Sequence, residues 1–199
     1  MATQRLDGLR VAILATDGVE QVELVKPREA LAAEGAQVEL VSPKEGAIQG
    51  VDHDKPADKI RVDLPLTAAN PEDFDALFLP GGVANPDRLR IVPAAVQFVK
   101  AFGAADKPIA AICHGPWMLV EAGLVGGKRL TSWPSLQTDI RNAGGQWTDQ
   151  QVVVDQGLTT SRKPDDIPAF NEAMIGQFAQ ARQSSGAAEG APAGEGVAL

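Results

Sequence analysis

The sequence predicts an α/β fold, a mostly parallel sheet with helices on both faces, and two observations carry that prediction. Residues 10–16 (RVAILAT), 75–82 (DALFLPGG) and 107–113 (KPIAAIC) are short apolar runs without polar alternation, the mark of strands buried on both faces. Segments with apolar residues at helical spacing lie between such runs, and strands alternating with helices build parallel sheets.

The elements follow in order. Residues 10–16 are the first strand, and residues 22–36 (VELVKPREALAAEGA) form a helix that Gly35 stops. Residues 37–42 (QVELVS) return as a second strand. Residues 47–66 read as irregular or hairpin-like, with Gly50 and Pro56 marking turns. The third strand, within 75–82, ends in a glycine pair. Residues 86–105 are helical, with Pro93 as a point of breakage or restart. The fourth strand is 107–113, followed by a helix over 115–124 (GPWMLVEAGL) with Pro116 in its first turn, where proline is tolerated. Residues 128–161 supply short strands around one helix, and 165–182 a final amphipathic helix capped by Asp165 or Asp166. From Gln183 onward Gly, Ala and Glu dominate, with too little apolar surface to offset the entropy of ordering. The expected organisation is one domain over residues 1–182 and a disordered tail over 183–199.

Composition excludes several functions. A formal net charge of −8 repels nucleic acid and anionic lipid, so neither is expected as a main partner. The single cysteine among 199 residues rules out a disulfide within the chain and fits a reducing compartment. The apolar run before Asp17 is too short for a signal sequence or a membrane span, and the protein is expected in the cytoplasm.

In open α/β sheets, ligands bind beyond the carboxyl ends of the strands. Three strand ends carry reactive or permissive residues: TDGVE at 16–20, PGG at 80–82 and CHGP at 113–116. A strand, Cys113, then Gly115 and a helix has the layout of a nucleophile elbow, in which a tight turn lifts the side chain out of the sheet. Helix N–H groups there would lower the thiol pKa below its free value of about 8.5. The competing reading is an inert cysteine packed as a small hydrophobe. His114 is a candidate base, provided that a sharp turn brings it to the same side as Cys113. His53, flanked by aspartates, reads as a solvated loop residue. Gly81 and Gly82 allow backbone N–H groups to approach a ligand and form an oxyanion hole, or they simply make the turn. Glu20 and Glu23 stand where the first strand gives way to its helix, to serve that helix or to reach Cys113. Asp87 is by default a residue of a helix start. No phosphate-cradling glycine motif is present, and a zinc site would need more Cys and His; neither cofactor nor metal is expected.

The residues resemble a known family. PGG after the third strand, KPIAAICHGPWMLVEAGLVGGKRLTSWPSLQTDIRNAGGQWTD and VVVDQGLTTSRKPDD together resemble the PfpI family of the class I glutamine amidotransferase-like superfamily, over about residues 9–180. The resemblance implies a flavodoxin-like sandwich, with Cys113 as nucleophile and His114 as its histidine. It implies that Glu20 contacts the cysteine and that Asp87 stands where relatives have a glutamate, which can come from the neighbouring subunit of a homo-oligomer built from dimers. The implied substrates are small reactive aldehydes or glycated protein side chains, processed by glyoxalase or deglycase chemistry. The alternatives are an intracellular cysteine peptidase and an oxidation-sensing stress protein with little catalysis. Glutamine hydrolysis by the superfamily's triad is excluded, because no histidine follows His114.

Overall fold

A computed structural model describes residues 4–189. The chain opens with β1 (Arg10–Leu14), a two-residue strand β2 (Val19–Glu20) and helix α1 (Gln21–Ala33). Gly35, at φ +92, ends the helix turn and leads into β3 (Gln37–Ser42). The ambiguous stretch is a hairpin of β4 (Ala47–Asp52) and β5 (Lys55–Arg61), followed by β6 (Leu64–Pro65). Its turn falls at His53, which takes φ 60, and not at Gly50 or Pro56, which lie inside the strands. Gly50 is needed there for space, since a Cβ would come within 3.3 Å of the Gln21 Cβ and 3.1 Å of the Asp58 carbonyl.

β7 (Ala76–Leu79) leads through the glycine pair to α2 (Ala84–Leu89) and α3 (Pro93–Ala104). Pro93 is therefore a restart: it opens α3, where its missing N–H costs nothing. Then come β8 (Ile109–Ile112), α4 (Pro116–Glu121), β9 (Arg129–Leu130), α5 (Gln137–Asn142), β10 (Gln146–Trp147), β11 (Val152–Asp155), β12 (Leu158–Ser161) and α6 (Ile167–Glu189). The Asp166 carboxylate does not cap α6; it accepts from Arg162 at 2.8 and 3.1 Å. Helix α6 continues seven residues into the segment assigned to a tail by composition, and residues 190–199 lie outside the described residues.

The central sheet has seven strands in the order β11-β12-β8-β7-β1-β3-β6, parallel except for the edge pair β11 and β12. Alternation along β1 sorts two cores. Ala12 and Leu14 pack on one face with Phe74, Phe98 and Phe102, and Val11 and Ile13 on the other with Phe78, Phe170 and Phe178. The sheet is thus apolar on both sides, which is why its strands show no polar alternation. β8, β7 and β1 are neighbours running the same way, so their carboxyl ends converge at one edge. Among the described residues no helix is long and apolar enough to cross a membrane.

Candidate active site at the carboxyl edge of the sheet

Cys113 follows β8 in the left-handed region, with φ 61. For a residue with a Cβ that conformation costs about 1–2 kcal/mol, so its surroundings must hold it in place. They do so on both sides. The Cys113 N–H donates to the Ser161 carbonyl at 3.1 Å, and its carbonyl accepts from the Trp133 N–H at 2.8 Å. Gly115 then starts α4 so close to β7 that an added Cβ would collide with the Leu79 carbonyl. The sharp turn has the consequence a regular strand forbids: adjacent side chains share one pocket. Cys113 Sγ lies 3.2 Å from His114 Nδ1.

His114 is buried beside two indoles, with Trp117 at 5.3 Å and a tilt of 60°, and Trp133 stacked at 5.8 Å and 23°. Burial lowers its pKa to about 4, so the ring is neutral at physiological pH. Its second nitrogen, Nε2, lies 3.4 Å from Ser135 Oγ.

The carboxyl group beside the sulfur belongs to Glu23, not to Glu20. Glu23 is fully buried, and its oxygens face Cys113 and the N–H groups of Gly81 and Gly82 without forming well-aligned hydrogen bonds. Glu20 is the residue before α1, and its Oε2 turns away to accept the His53 N–H at 3.0 Å across the hairpin. One helical turn separates the two. Glu23, Pro27 and Leu31 form the buried i, i+4, i+8 stripe of α1, and a glutamate in such a stripe was the signal available in the sequence.

Burial raises the Glu23 pKa to about 8, with repulsion from Glu20 adding to it. The Cys113 thiol is also pushed up, first by burial and then by repulsion from an ionised Glu23, against the helix-start depression that the elbow layout suggested. Near neutral pH the pair rests as a carboxylic acid and a thiol. Glu23→Gln gives this a measurable sign. Because the folded-state pKa lies above the ordinary glutamate value of 4.5, the native state holds a proton that the unfolded chain releases between pH 4.5 and about 8. Stability that is full below pH 4.5 is therefore lost toward pH 8, at up to about 1.4 kcal/mol per pH unit. Chemical denaturation across that window should show wild type losing stability relative to Glu23→Gln; parallel curves would contradict the assignment.

Gly81 sits against both the thiol and the carboxyl group: a Cβ there would overlap Glu23 Oε2, meet Cys113 Cβ at 2.5 Å and the Ile112 carbonyl at 3.0 Å. The Gly82 N–H faces the sulfur as well as Glu23, and the His114 N–H also faces the sulfur. The glycine pair thus lines the thiol and carboxyl. Asn85, which sequence reasoning did not single out, clips this loop to the segment that follows β1. Its Oδ1 accepts the Thr16 N–H at 2.8 Å, and its Nδ2 donates to the Pro80 and Gly81 carbonyls at 3.0 and 3.1 Å.

This constellation sits on a sequence that matches the DJ-1/PfpI family over residues 9–177. The chain belongs to the DJ-1/PfpI family. It is 44% identical over 167 residues to a deglycase of Pyrococcus abyssi, an alignment covering 84% of this chain and 98% of that one. It is 39% identical over 169 residues to general stress protein 18 of Bacillus subtilis, covering 84% and 96%. A two-domain protein from Anabaena variabilis, with DJ-1/ThiJ/PfpI-like and ferritin-like domains, superposes with a TM-score of 0.80 at 33% identity, over 85% of this chain and 48% of that one.

In this DJ-1/PfpI chain Asp87 does not reach His114. It is exposed on α2, and its carboxylate has no hydrogen-bond or ion-pair partner among the described residues. His53 is on the exposed hairpin turn, and its Nδ1 lies 2.8 Å from an Asp52 oxygen. Glu20, Asp52 and His53 have potential ligand atoms within 4.8 Å of one another, two of the three side chains being exposed. The Trp147 Nε1–H donates to Ser132 Oγ at 2.9 Å.

Proposed function

We propose that this DJ-1/PfpI member is a hydrolase of the deglycase or glyoxalase type that acts on reactive carbonyls through Cys113. The observation that carries the reading is the strained elbow, which sets Sγ at 3.2 Å from a neutral imidazole nitrogen and against a carboxyl group that stays protonated near neutrality. The deglycase among its relatives supports the substrate class, and the stress protein supports the setting.

Because the thiol rests protonated, attack and deprotonation are coupled. As Sγ bonds to the aldehyde carbon, His114 Nδ1 takes the thiol proton, and the carbonyl oxygen gains the electron pair and then a proton to give a hemithioacetal. With a 2-oxoaldehyde, loss of the C1 hydrogen as a proton and its return at C2 gives a thioester of the 2-hydroxy acid. Water then cleaves the thioester and restores the thiol, with no external oxidant. The protonated Glu23 donates to sulfur while charge passes through it, a role that an ionised carboxylate could not fill. With only 6% of Cys113 exposed, the site suits small aldehydes or a slender glycated side chain better than a folded peptide chain.

Since the chain holds a single cysteine, one equivalent of iodoacetamide tests this cleanly. Methylglyoxal consumption should fall in proportion to the alkylated fraction determined by mass spectrometry. Full turnover by fully alkylated protein would sink the reading.

The same proposal includes assembly. Val83 and Ile91, which flank α2, are 58% and 80% exposed, and Asp87 lies between them in sequence. A second copy seated there would cover both side chains. Ile91→Glu should then lower the sedimentation coefficient of the assembled protein, whereas an unchanged value would place the contact elsewhere.

A further inference from the structure

We infer that Ser135 is the positioning residue of His114, its hydroxyl accepting the Nε2–H so that Nδ1 is presented to Cys113 as a proton acceptor. The inference rests on the reading of Cys113 as the reacting group and names what orients its base.

A neutral imidazole carries one proton, and the hydrogen bond made by one nitrogen fixes what the other can do. Nδ1 faces Sγ at 3.2 Å, and Nε2 faces Ser135 Oγ at 3.4 Å. If Nδ1 held the proton, the ring would donate to sulfur and could not accept from the thiol. With the proton on Nε2, both contacts work: the thiol donates to Nδ1 and Ser135 Oγ accepts from Nε2. The arrangement also survives the reaction. When Nδ1 takes the thiol proton, Nε2–H keeps its acceptor, and the ring need not turn.

The surroundings explain why a hydroxyl suffices. Trp133, stacked on the ring, and Trp117, tilted against it, restrict the ring plane but not a 180° flip about the Cβ–Cγ bond, which leaves that plane unchanged. An in-plane hydrogen bond removes that freedom. Ser135 is placed for it by the short 3-10 turn Pro134–Leu136, and that turn is registered to the elbow by the Trp133 N–H donated to the Cys113 carbonyl. No carboxylate meets the His114 ring among the described residues. A neutral acceptor orients the base without raising its pKa as a carboxylate would.

The test uses the full-length protein with ¹⁵N-labelled histidine, whose two rings are separated by a His53→Gln control. Wild type should show His114 as the neutral Nε2–H tautomer. Ser135→Ala should give a mixture of tautomers and slow Cys113 alkylation by about tenfold, a part of the 10²–10⁴ that a positioned general base contributes, because the ring itself remains. Ser135→Thr, which keeps the hydroxyl, should restore both. An Nδ1–H tautomer in wild type, or an unchanged tautomer in Ser135→Ala, overturns the inference. So does a loss of the Nε2–H form in Asp87→Asn but not in Ser135→Ala, since a carboxylate from a second copy would then hold the ring. These readouts need no substrate, so a failure of methylglyoxal turnover would count against the proposed reaction and leave the Ser135 result readable.

Discussion

Cys113→Ser should reduce methylglyoxal turnover by at least about 10³-fold while the protein still unfolds cooperatively near the wild-type midpoint. The two halves of this expectation have different causes. The new hydroxyl occupies the sulfur's place and donates to His114 Nδ1, 3.2 Å away in the wild type, so no buried polar group is orphaned and the fold is spared. Chemistry suffers because an alcohol is a far weaker acid and nucleophile than a thiol. The imidazole, with its pKa lowered to about 4, is too weak a base to make up the difference. A steady-state assay paired with thermal unfolding checks both halves. Retained turnover in a folded variant would remove Cys113 from the mechanism.

The resting thiol also bears on the oxidation-sensor alternative. Oxidation follows thiolate character and exposure, and Cys113 has little of either, being 6% exposed with its pKa pushed up. A reading in which the sulfur becomes nucleophilic only as a carbonyl arrives fits this burial better than one in which peroxide finds a free thiolate.

Much of this was legible in the sequence, for reasons that particular residues show. The unalternating runs at β1, β7 and β8 were readable because both faces of the sheet are buried. The convergence of Thr16, the glycine pair and Cys113 followed because parallel neighbours end at one edge. The choice between Glu20 and Glu23 was not settled that way. Both lie where strand gives way to helix, and only the helical phase set by Pro27 and Leu31 decides which one faces the sulfur. The upward direction of the thiol pKa is not legible in the sequence, because the elbow layout speaks of N–H donors, whereas burial and the neighbouring carboxyl, both tertiary, dominate. Ser135 and Asn85 left no local signature. Each acts through a loop brought to it by distant strands, 21 residues after His114 in one case and 69 after Thr16 in the other.

Gly82→Ala should cost more stability than any other single methyl added at the glycine pair, about 2–5 kcal/mol. Gly82 takes φ +80, where a side chain is strained by about 1–2 kcal/mol whatever the space. The space is absent as well: its Cβ would collide with the Gly18 carbonyl and stand 2.6 Å from the Glu20 nitrogen and 3.1 Å from the Val19 carbonyl carbon. All three are backbone atoms of the segment joining β1 to α1, so relief means moving the segment that carries Glu20 and leads to Glu23. Gly81→Ala is different in kind. Its φ is not in the left-handed region, and its added methyl meets Glu23 Oε2 and Cys113 Cβ. It should spare more of the stability and disturb the thiol–carboxyl pair, moving the carboxyl off the sulfur. Urea denaturation and iodoacetamide alkylation measured on both variants separate the two effects. A Gly82→Ala protein as stable as wild type would mean that the β1–α1 segment yields freely. The close approach of that segment to the glycine loop would then play no part in fixing the site.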